Sequence, residues 1–439
     1  MVQPSDDPMA VNYSFVTKKG DRSKIELLKT CASTKNEIDS EEDKIKFNVI
    51  KGSLTANNKF YLAFGDKPPF NFFSCYPINA EQSCLVSPSA DDENLGTDYA
   101  HPCVWGIAQV TESKLENVEV GTKFIAMLPM GETVSFKNAW LDSEDDNKLI
   151  VDRPTTNPAY NVFSKLNELG DGDDERYEDI ALACMPGIST GFGLNYNLRK
   201  NNFYSADVIV LTSASSKVAL ALALYLRYNG KDDDQPKASK KIVGFTSKSN
   251  REFCRKTGLY DEVLGYDDSL SASSANEQKK YVIIDIAGRG TVYSKALLEP
   301  NVEVMKLLTI GNASGTPDKD STFALFPMKA KIKMLLTMLN VLPWFASWLN
   351  PVEELYLIFM DLEEMKAELG IEKLQVTMKE YERVFCKAAA SPGKEWISVR
   401  TCDSENSIQT AFQDILQGSV PPSETIILDV VKAVAHRKQ

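Results

Sequence analysis

The sequence predicts an α/β protein in which a parallel sheet, covered by helices on both faces, is joined to a second, β-rich domain. Two observations carry this prediction. Between residues 208 and 311, apolar runs alternate with helical patterns, and such alternation indicates a parallel sheet with both faces covered. The chain also has 439 residues, a length that suits two domains better than one.

The apolar runs predict the strands of this sheet. They are VIVL (208–211), KIVGFT (241–246), a short run in DEVLGYDD (261–268), YVIIDIAG (281–288) and VEVMKLLTIG (302–311). After the first run, Val218, Leu222 and Leu226 recur at i, i+4 and i+8, as on the apolar face of a helix. The strands are followed by glycine or small polar residues, at the edge where parallel sheets bind ligands.

The polar turn TSASSK (212–217) is predicted to bind an anion. It lacks the glycines that a dinucleotide-binding turn usually carries. Hydroxyl donors for phosphate oxygens stand there instead, at Thr212, Ser213, Ser215 and Ser216. The helix that follows favours an anion at its N-terminus, and Lys217 adds a positive charge in its first turn. The alternative is that the serines and Lys217 only cap a surface helix.

The end of the second strand predicts which dinucleotide binds. A site for NADH has Asp or Glu here, which bonds the ribose hydroxyls. This strand ends in Thr246, Ser247 and Lys248, with Arg251 one helical turn later and no acid before Glu252. Hydroxyls and two cations suit the 2′-phosphate of NADPH, because Lys and Arg make charge-assisted hydrogen bonds to phosphate. A basic helix start on the surface is the alternative.

Composition and charge argue against several classes of protein. The formal net charge of −12 disfavours nucleic-acid binding, which needs clustered Lys and Arg. The eight cysteines form no CxxC pair, which predicts reduced thiols and a cytoplasmic location, and we expect no signal peptide at the N-terminus. Because the histidines are only His101 and His436, we expect neither catalytic zinc nor a catalytic Ser-His or Cys-His pair.

Several segments resemble a known superfamily. The order VIVLTSASSKVALALA, KIVGFTSKSNREFCRKTGLYDEVLGYDD, YVIIDIAG and LLTIG resembles the cofactor domain of the medium-chain dehydrogenase/reductases, in their zinc-free, quinone-oxidoreductase-like branch. Upstream segments are similar to an uncharacterised group of that superfamily, catalogued as proteins of unknown function, which also carries a SASSK turn. These segments are LTANNKFYLAFGD (54–66), FNFFSCYP (70–77), CVWGIAQVTES (103–113) and VEVGTKFIAMLPM (118–130).

The resemblance implies a division of the chain into an interrupted catalytic domain and a cofactor domain. The implied segments are an N-terminal extension or edge strands (1–44), the first part of a β-rich, GroES-like catalytic domain (45–195), a Rossmann-type NADP-binding domain (196–318) and the return to the catalytic domain (319–439). The return contains an unusually apolar segment, 326–360. We predict a helical lid or a dimer contact there, with peripheral membrane contact as the alternative, since Pro343 interrupts any spanning helix.

The resemblance also implies the site residues. In ACMPGISTGFGL (183–194), Ser189 and Thr190 take the place of a small hydroxyl residue beside the nicotinamide, and strand ends at Gly288 and Gly311 let the cofactor approach closely. The candidate proton donors are tyrosines in the matched catalytic-domain segments, at Tyr61, Tyr76 and Tyr160. Asn57 resembles a substrate-side asparagine of the family, with an N-cap or turn role as the alternative.

Together these features predict an NADPH-dependent, zinc-independent oxidoreductase. Its substrate is expected to be a hydrophobic small molecule with an activated C=C or C=O bond, because the apolar segment 326–360 suits a lipophilic ligand. The alternative is a non-catalytic protein that keeps the fold and binds NADPH as a sensor or scaffold. The altered turn and the lack of an evident proton donor keep this alternative open.

Overall fold

The computed structural model describes most of the chain, as three sheets flanked by helices. The described residues are 11–31, 43–67, 70–87, 94–153, 158–166, 175–228, 240–270, 277–286, 290–310, 352–356, 358–391 and 393–438. Three sequence predictions lie wholly or mostly outside them: Gly288, Gly311 and the apolar segment 326–360.

The elements alternate between strand-rich and helix-rich stretches. The strands are β1 Val11–Lys18, β2 Asp21–Cys31, β3 Ile45–Leu54, β4 Ser83–Leu85, β5 Tyr99–Ala100, β6 Cys103–Ser113, β7 Lys123–Pro129, β8 Thr133–Phe136, β9 Ala139–Leu141, β10 Lys148–Val151, β11 Val162–Lys165, β12 Val208–Leu211, β13 Lys241–Thr246, β14 Glu262–Gly265, β15 Lys279–Asp285, β16 Val302–Thr309, β17 Glu353–Leu355, β18 Ser398–Cys402 and β19 Glu424–Leu428. The helices are α1 Asn57–Ala63, α2 Leu95–Asp98, α3 Glu175–Lys200, α4 Lys217–Arg227, α5 Arg251–Thr257, α6 Thr291–Ala296, α7 Ile358–Leu369, α8 Ile371–Ala389, α9 Glu405–Gln417 and α10 Val430–Val434.

A six-stranded parallel sheet forms the middle of the chain. Its order is β14-β13-β12-β15-β16-β17, and every neighbouring pair is parallel. Numbered along the chain, this is the 3-2-1-4-5-6 order of doubly wound dinucleotide-binding folds. The central strand β12 is buried along its whole length, as its run of β-branched residues predicts for a strand covered on both faces. The predicted Rossmann-type sheet is therefore confirmed.

The sixth strand corrects one sequence prediction. We expected the apolar segment 326–360 to be helical, but Glu353–Leu355 form β17 and pair with β16 in register from Leu307 to Thr309. The helical prediction is thus wrong for residues 353–355, whereas residues 358–360 belong to helix α7. An edge strand of three residues is too short to show a period.

A nine-stranded sheet forms the β-rich part of the molecule. Its order is β18-β19-β3-β6-β7-β11-β10-β9, with β8 also paired to β3. The C-terminal strand β19 runs antiparallel to β3, so the end of the chain completes the sheet that residues 45–165 begin. This pairing joins the two parts of the β-rich domain, and the predicted β-rich second domain is confirmed.

A third sheet holds the N-terminal residues. Strands β1 and β2 form an antiparallel hairpin, and the order β4-β2-β1-β5 adds two short strands at its edges. Phe15 and Val16 are fully buried on this hairpin. Residues 11–31 therefore belong to the folded structure as strands.

Helix α3 connects the β-rich domain to the parallel sheet. It runs without a break through the predicted domain boundary at 195/196 and contains Pro186. A Cβ on Gly187 would lie 2.8 Å from Lys217 Cβ, and one on Gly191 would lie 2.7 Å from Ala221 Cβ. These glycines let α3 pack tightly against α4, the first helix of the parallel-sheet domain.

A helical pair, α7 and α8, covers the other side of these helices. Tyr381 on α8 contacts the rings of Phe192 on α3 and Tyr225 on α4, at centroid distances of 5.0 Å and 4.8 Å. Aromatic contacts of this kind contribute about 0.5–1.5 kcal/mol each beyond area burial. The result is one apolar cluster that runs through α3, α4 and α8.

Candidate functional site

The ends of β12 and β15 are tied together by side chains. Thr212 Oγ1 donates to Asp285 Oδ1 at 2.8 Å and accepts from the N–H of Ile286 at 2.9 Å. The second carboxylate oxygen of Asp285 accepts from the N–H of Gly290 at 2.7 Å. The strand order reverses between β12 and β15, which is the point where sheets of this kind bind ligands. This network therefore fixes the floor of the candidate site.

The turn after β12 has the shape of a glycine-rich turn without the glycines. Ser213 lies in the left-handed region at φ +49°, where glycine is the usual residue. Its N–H donates to the Tyr266 hydroxyl at 3.0 Å. Ala214 is fully buried. A Cβ on Gly244 of β13 would lie only 2.8 Å from the Ala214 Cβ, so the turn and β13 approach closely because residue 244 is glycine. Alanine thus supplies the close packing, and serine takes the strained backbone position.

The next two serines of the turn have different partners. Ser216 is the N-cap of α4 and accepts from the N–H of Ala219 at 3.2 Å. Ser215 Oγ accepts from Asn250 Nδ2 at 3.1 Å and from Thr246 Oγ1 at 3.4 Å. The capping role considered from the sequence therefore applies to Ser216. Ser215 instead links the turn to the end of the neighbouring strand β13.

Lys217 extends away from the turn toward the C-terminal part of the chain. Its ammonium group donates to the carbonyl oxygens of Pro422 at 2.5 Å and Glu424 at 3.1 Å. Burial of the ammonium group lowers the pKa of Lys217. The segment 422–424 leads into β19. The Lys217 side chain therefore joins helix α4 of the parallel-sheet domain to the β-rich domain. The predicted phosphate contact of Lys217 stays a prediction.

The carboxyl ends of β13 and β14 carry the predicted basic cluster. Thr246 is buried, whereas Ser247 and Lys248 are exposed. Arg251 forms an ion pair with Asp268 at 3.0 Å, between Nη2 and Oδ2. The sequence analysis recognised the cations but missed this acid, which comes from the turn after the next strand.

The segment 183–194 lies inside helix α3. Thr190 Oγ1 donates to the carbonyl oxygen of Pro186 at 2.7 Å, a bond within the helix, and Ser189 is half-buried one residue before it. The chain therefore enters the parallel-sheet domain through a helix. The position of these hydroxyls beside a nicotinamide stays a prediction.

Two of the candidate tyrosines and Asn57 lie in one aromatic cluster of the β-rich domain. Trp105 Nε1 donates to the Tyr61 hydroxyl at 3.0 Å, and the Asn57 side chain hydrogen-bonds to the same hydroxyl. The Tyr160 ring lies 6.3 Å from that of Tyr61 and 5.1 Å from that of Phe72. Burial raises the pKa of Tyr61 and raises that of Tyr160 to about 12. Both phenols are therefore protonated at neutral pH.

Tyr76, the third candidate, adjoins this cluster through a buried arginine. Its hydroxyl donates to the carbonyl oxygen of Met127 at 2.6 Å and accepts from Arg153. Arg153 also donates to the carbonyl oxygen of Tyr160, and its guanidinium lies 4.9 Å from the Tyr76 ring centroid. Burial raises the pKa of Tyr76 despite the positive charge beside it. These bonds hold the phenol in a structural network.

Asn57 does not cap the helix that it begins. Ala56 is the N-cap position of α1, and Asn58 fixes the turn, since its Oδ1 accepts from the N–H of Thr55 at 2.7 Å. Asn58 Nδ2 also donates to the carbonyl oxygen of Cys103 at 2.8 Å. The half-buried Asn57 side chain is thus directed to Tyr61 rather than to the backbone turn.

Sequence reasoning missed three residues at the edge of the parallel sheet: Tyr266, Asp268 and Asp285. Asp285 stands inside the quoted run YVIIDIAG, and an acid at the end of an otherwise apolar strand was a usable signal. Tyr266 and Asp268 follow the third strand in GYDD, and only the strand order brings them beside Ser213 and Arg251.

The described residues contain neither a cluster of metal ligands nor a membrane-spanning helix. Among the residues described, no group of three or more His, Cys, Asp or Glu side chains is arranged to hold a metal ion. Within the same ranges, no helix has the length and apolar character needed to cross a membrane. All eight cysteines are free thiols.

The strand order and the β-rich sheet define a two-domain α/β protein whose parallel sheet has the doubly wound fold. The chain belongs to the family DUF2855, described as "Protein of unknown function", whose model matches residues 53–421. The predicted membership of an uncharacterised group is thereby confirmed. A comparison with curated proteins gave no match.

Solved structures with a similar architecture include three proteins in complex with NADPH. CurA from Vibrio vulnificus has 13% identity and a TM-score of 0.49, covering 95% of this chain and 98% of that one. TarJ from S. aureus has 11% identity and a TM-score of 0.47, and the match covers 96% of this chain and 99% of TarJ. Quinone oxidoreductase from Escherichia coli has 10% identity and a TM-score of 0.47, with 95% and 99% covered.

Proposed function

We propose that the protein is an NADPH-dependent reductase that acts without zinc on an activated C=C or C=O bond of a hydrophobic small molecule. One observation carries the proposal. The hydroxyl-bearing turn 212–216 and the basic end of β13 lie side by side at the carboxyl edge of a 3-2-1-4-5-6 sheet, linked by the Ser215–Asn250 hydrogen bond. This edge is where the pyrophosphate and the adenosine ribose of a dinucleotide bind in such folds.

The residues at this edge fit NADPH in two respects. The backbone N–H groups at the start of α4 are donors for the pyrophosphate, and the left-handed Ser213 shapes the turn that presents them. Arg251 begins α5 directly after the end of β13, and its guanidinium, which is 27% exposed, is a donor near the position for the 2′-phosphate. Lys248 supplies a second, exposed cation.

NADPH, when bound, supplies the hydride. The part left to the chain is to orient the substrate and to provide a proton, and a protonated phenol is suited to that task. Tyr61 and Tyr160 are our candidates because of their position in the aromatic cluster: Trp105 donates to the Tyr61 hydroxyl, and the ring of Trp105 lies 6.4 Å from that of Tyr160. Trp105 also packs against the apolar cluster that includes Leu182 and Ala183 of α3. The aromatic cluster therefore lies beside the helix that leads to the cofactor domain.

Thermal stabilisation by dinucleotides tests the cofactor assignment. At a fixed concentration, a ligand that binds the native state more tightly raises the melting temperature more. We therefore expect a larger upward shift with NADPH than with NADH at equal concentration, because Lys248 and Arg251 bind the 2′-phosphate. Differential scanning fluorimetry measures both shifts. Equal shifts, or none with either dinucleotide, would remove the argument for a 2′-phosphate site.

Treatment with a chelator tests the proposal that the reductase acts without zinc. Treatment with a chelator is expected to leave the melting temperature and the NADPH-dependent shift unchanged, because the described residues contain no metal-binding cluster. Elemental analysis of the purified protein provides the control. Zinc at one equivalent per chain, lost together with activity on chelation, would contradict this expectation.

A second candidate function is a non-catalytic NADPH-binding sensor or scaffold. It is favoured by the engagement of Tyr76 with Met127 and Arg153, which leaves that phenol in a structural role. The two functions differ in turnover. Oxidation of NADPH, followed at 340 nm with a panel of quinones and enones, supports the reductase, whereas binding without oxidation of NADPH by any of them supports the sensor.

A further inference from the structure

The ion pair between Arg251 and Asp268 lies at the predicted 2′-phosphate position. Arg251 begins α5, directly after the end of β13, and Asp268 follows the end of β14. The last residues of these strands, Thr246 and Gly265, are paired in register. The pair therefore sits at the carboxyl edge of the sheet, next to Ser247 and Lys248.

The guanidinium group is held in place by packing as well as by its charge. A Cβ on Gly265 would lie 1.7 Å from Arg251 Nη2 and 2.6 Å from Cζ, so the guanidinium rests directly on the Gly265 backbone. A residue other than glycine would displace it. The Asp268 carboxylate is fixed separately, because its Oδ2 accepts from the N–H of Gly265 at 2.8 Å. Both groups thus stay at this edge independently of each other.

The pair places a negative charge where the proposed ligand is also negative. Asp268 is 40% exposed and Arg251 is 27% exposed, so solvent and a ligand both reach the pair. The Asp268 carboxylate already pairs with Nη2 of Arg251. A 2′-phosphate that binds this nitrogen competes with the carboxylate for it. Because the phosphate and the carboxylate are acceptors for the same nitrogen, the ion pair offsets part of the attraction of Arg251 for the phosphate.

We propose that Asp268 sets the dinucleotide preference of this protein by competing with the 2′-phosphate for Arg251. This inference rests on the proposed function, since it assumes that a dinucleotide binds at the edge of the sheet. Asp268 weakens the binding of NADPH, whereas NADH, which has a 2′-hydroxyl in place of the phosphate, is unaffected by the pairing. The natural protein therefore discriminates less between the two dinucleotides than its cations alone would allow.

Asp268→Asn tests this role, because the amide oxygen still accepts from the Gly265 N–H while the charge is removed. We expect the Kd for NADPH to fall by about five- to tenfold, the size of one charge-assisted contact regained near solvent, and the Kd for NADH to change less than twofold. Asp267→Asn is the matched control. Asp267 is exposed and lies one residue before Asp268, and the substitution removes the same charge. It should change both constants less than twofold.

A double-mutant cycle separates competition for Arg251 from a general effect of charge. In an Arg251→Met background, Asp268→Asn should leave the ratio of the two Kd values unchanged within twofold, because no guanidinium remains to be released. Isothermal titration of NADPH, NADH and adenosine 2′,5′-bisphosphate into the folded variants supplies the constants. The bisphosphate carries the 2′-phosphate without the pyrophosphate or the nicotinamide.

The outcomes distinguish this inference from the proposed function. If the wild-type protein binds NADPH but Asp268→Asn leaves the preference unchanged, or Asp267→Asn shifts it equally, competition by Asp268 is disproved and the proposed function stands. If neither dinucleotide binds but the bisphosphate binds more tightly to Asp268→Asn, the 2′-phosphate site stands and the reductase does not. If no ligand binds to any variant, both are overturned.

Discussion

Gly191→Ala is expected to lower the melting temperature by roughly 3–6 degrees, although alanine is the better helix former. A Cβ at this position would lie 2.7 Å from Ala221 Cβ and 2.9 Å from the backbone nitrogen of Leu222. Backbone atoms of α4 cannot move aside as a flexible side chain would, so α3 and α4 must separate. Overpacking of this kind costs about 1–3 kcal/mol or more, which exceeds the ~1 kcal/mol that Gly→Ala gains in an exposed helix.

The sign of the change is the informative result. Thermal unfolding followed by circular dichroism gives the midpoint, and Gly20→Ala serves as the control. Gly20 lies in the turn between β1 and β2, and a Cβ there would have nothing within 4 Å. The control should move the midpoint by less than two degrees, in line with an exposed substitution. A rise in the midpoint of Gly191→Ala would mean that α3 and α4 are not packed as closely as described.

Lys217→Met is expected to destabilise the protein and to leave its affinity for NADPH within about threefold of the wild type. The ammonium group donates to the carbonyl oxygens of Pro422 and Glu424, and hydrogen bonds from charged groups contribute about 1.5–3 kcal/mol each before the cost of burial is subtracted. Methionine keeps the apolar stem that packs beside Gly187 but removes both bonds. We expect a net loss of about 2 kcal/mol.

The same variant separates two roles for this lysine. The sequence analysis assigned Lys217 to the pyrophosphate, and that role predicts a ten- to hundredfold loss of NADPH affinity with no loss of stability. Lys248→Met is the matched control, because Lys248 is exposed at the other predicted phosphate position. It should weaken NADPH and leave the melting temperature unchanged. A Lys217→Met protein with wild-type stability and much weaker NADPH binding would restore the phosphate role.

The central strands of the parallel sheet were predictable because the signal for each lies within its own short sequence. VIVL and KIVGFT coincide with β12 and β13 residue for residue, since continuous runs rich in β-branched residues leave little choice of structure. Helix α3 was harder, because Pro186 and nearby glycines are typical of a break. In the structure these glycines serve the close approach of α3 and α4, a tertiary requirement that no local pattern records.

The partners of the site residues were beyond sequence reasoning for the same reason. Ser213 and Tyr266 are 53 positions apart, and Lys217 and Pro422 are 205 apart. The sequence identifies these residues as polar or basic. It does not identify their partners, because a cationic side chain can donate to a phosphate, a carboxylate or a carbonyl oxygen. Only the strand order shows that Asp268 reaches Arg251.

A crystal structure of the protein with NADPH at saturating concentration tests the central proposal most directly. We predict the pyrophosphate at the N-terminus of α4, against the N–H of Ser215, and the 2′-phosphate within hydrogen-bonding distance of Lys248 and Arg251. The nicotinamide should be directed toward α3 and the aromatic cluster around Tyr61. A dinucleotide bound elsewhere, or a turn after β12 that stays empty while Tyr266 keeps its bond to Ser213, would contradict the proposal.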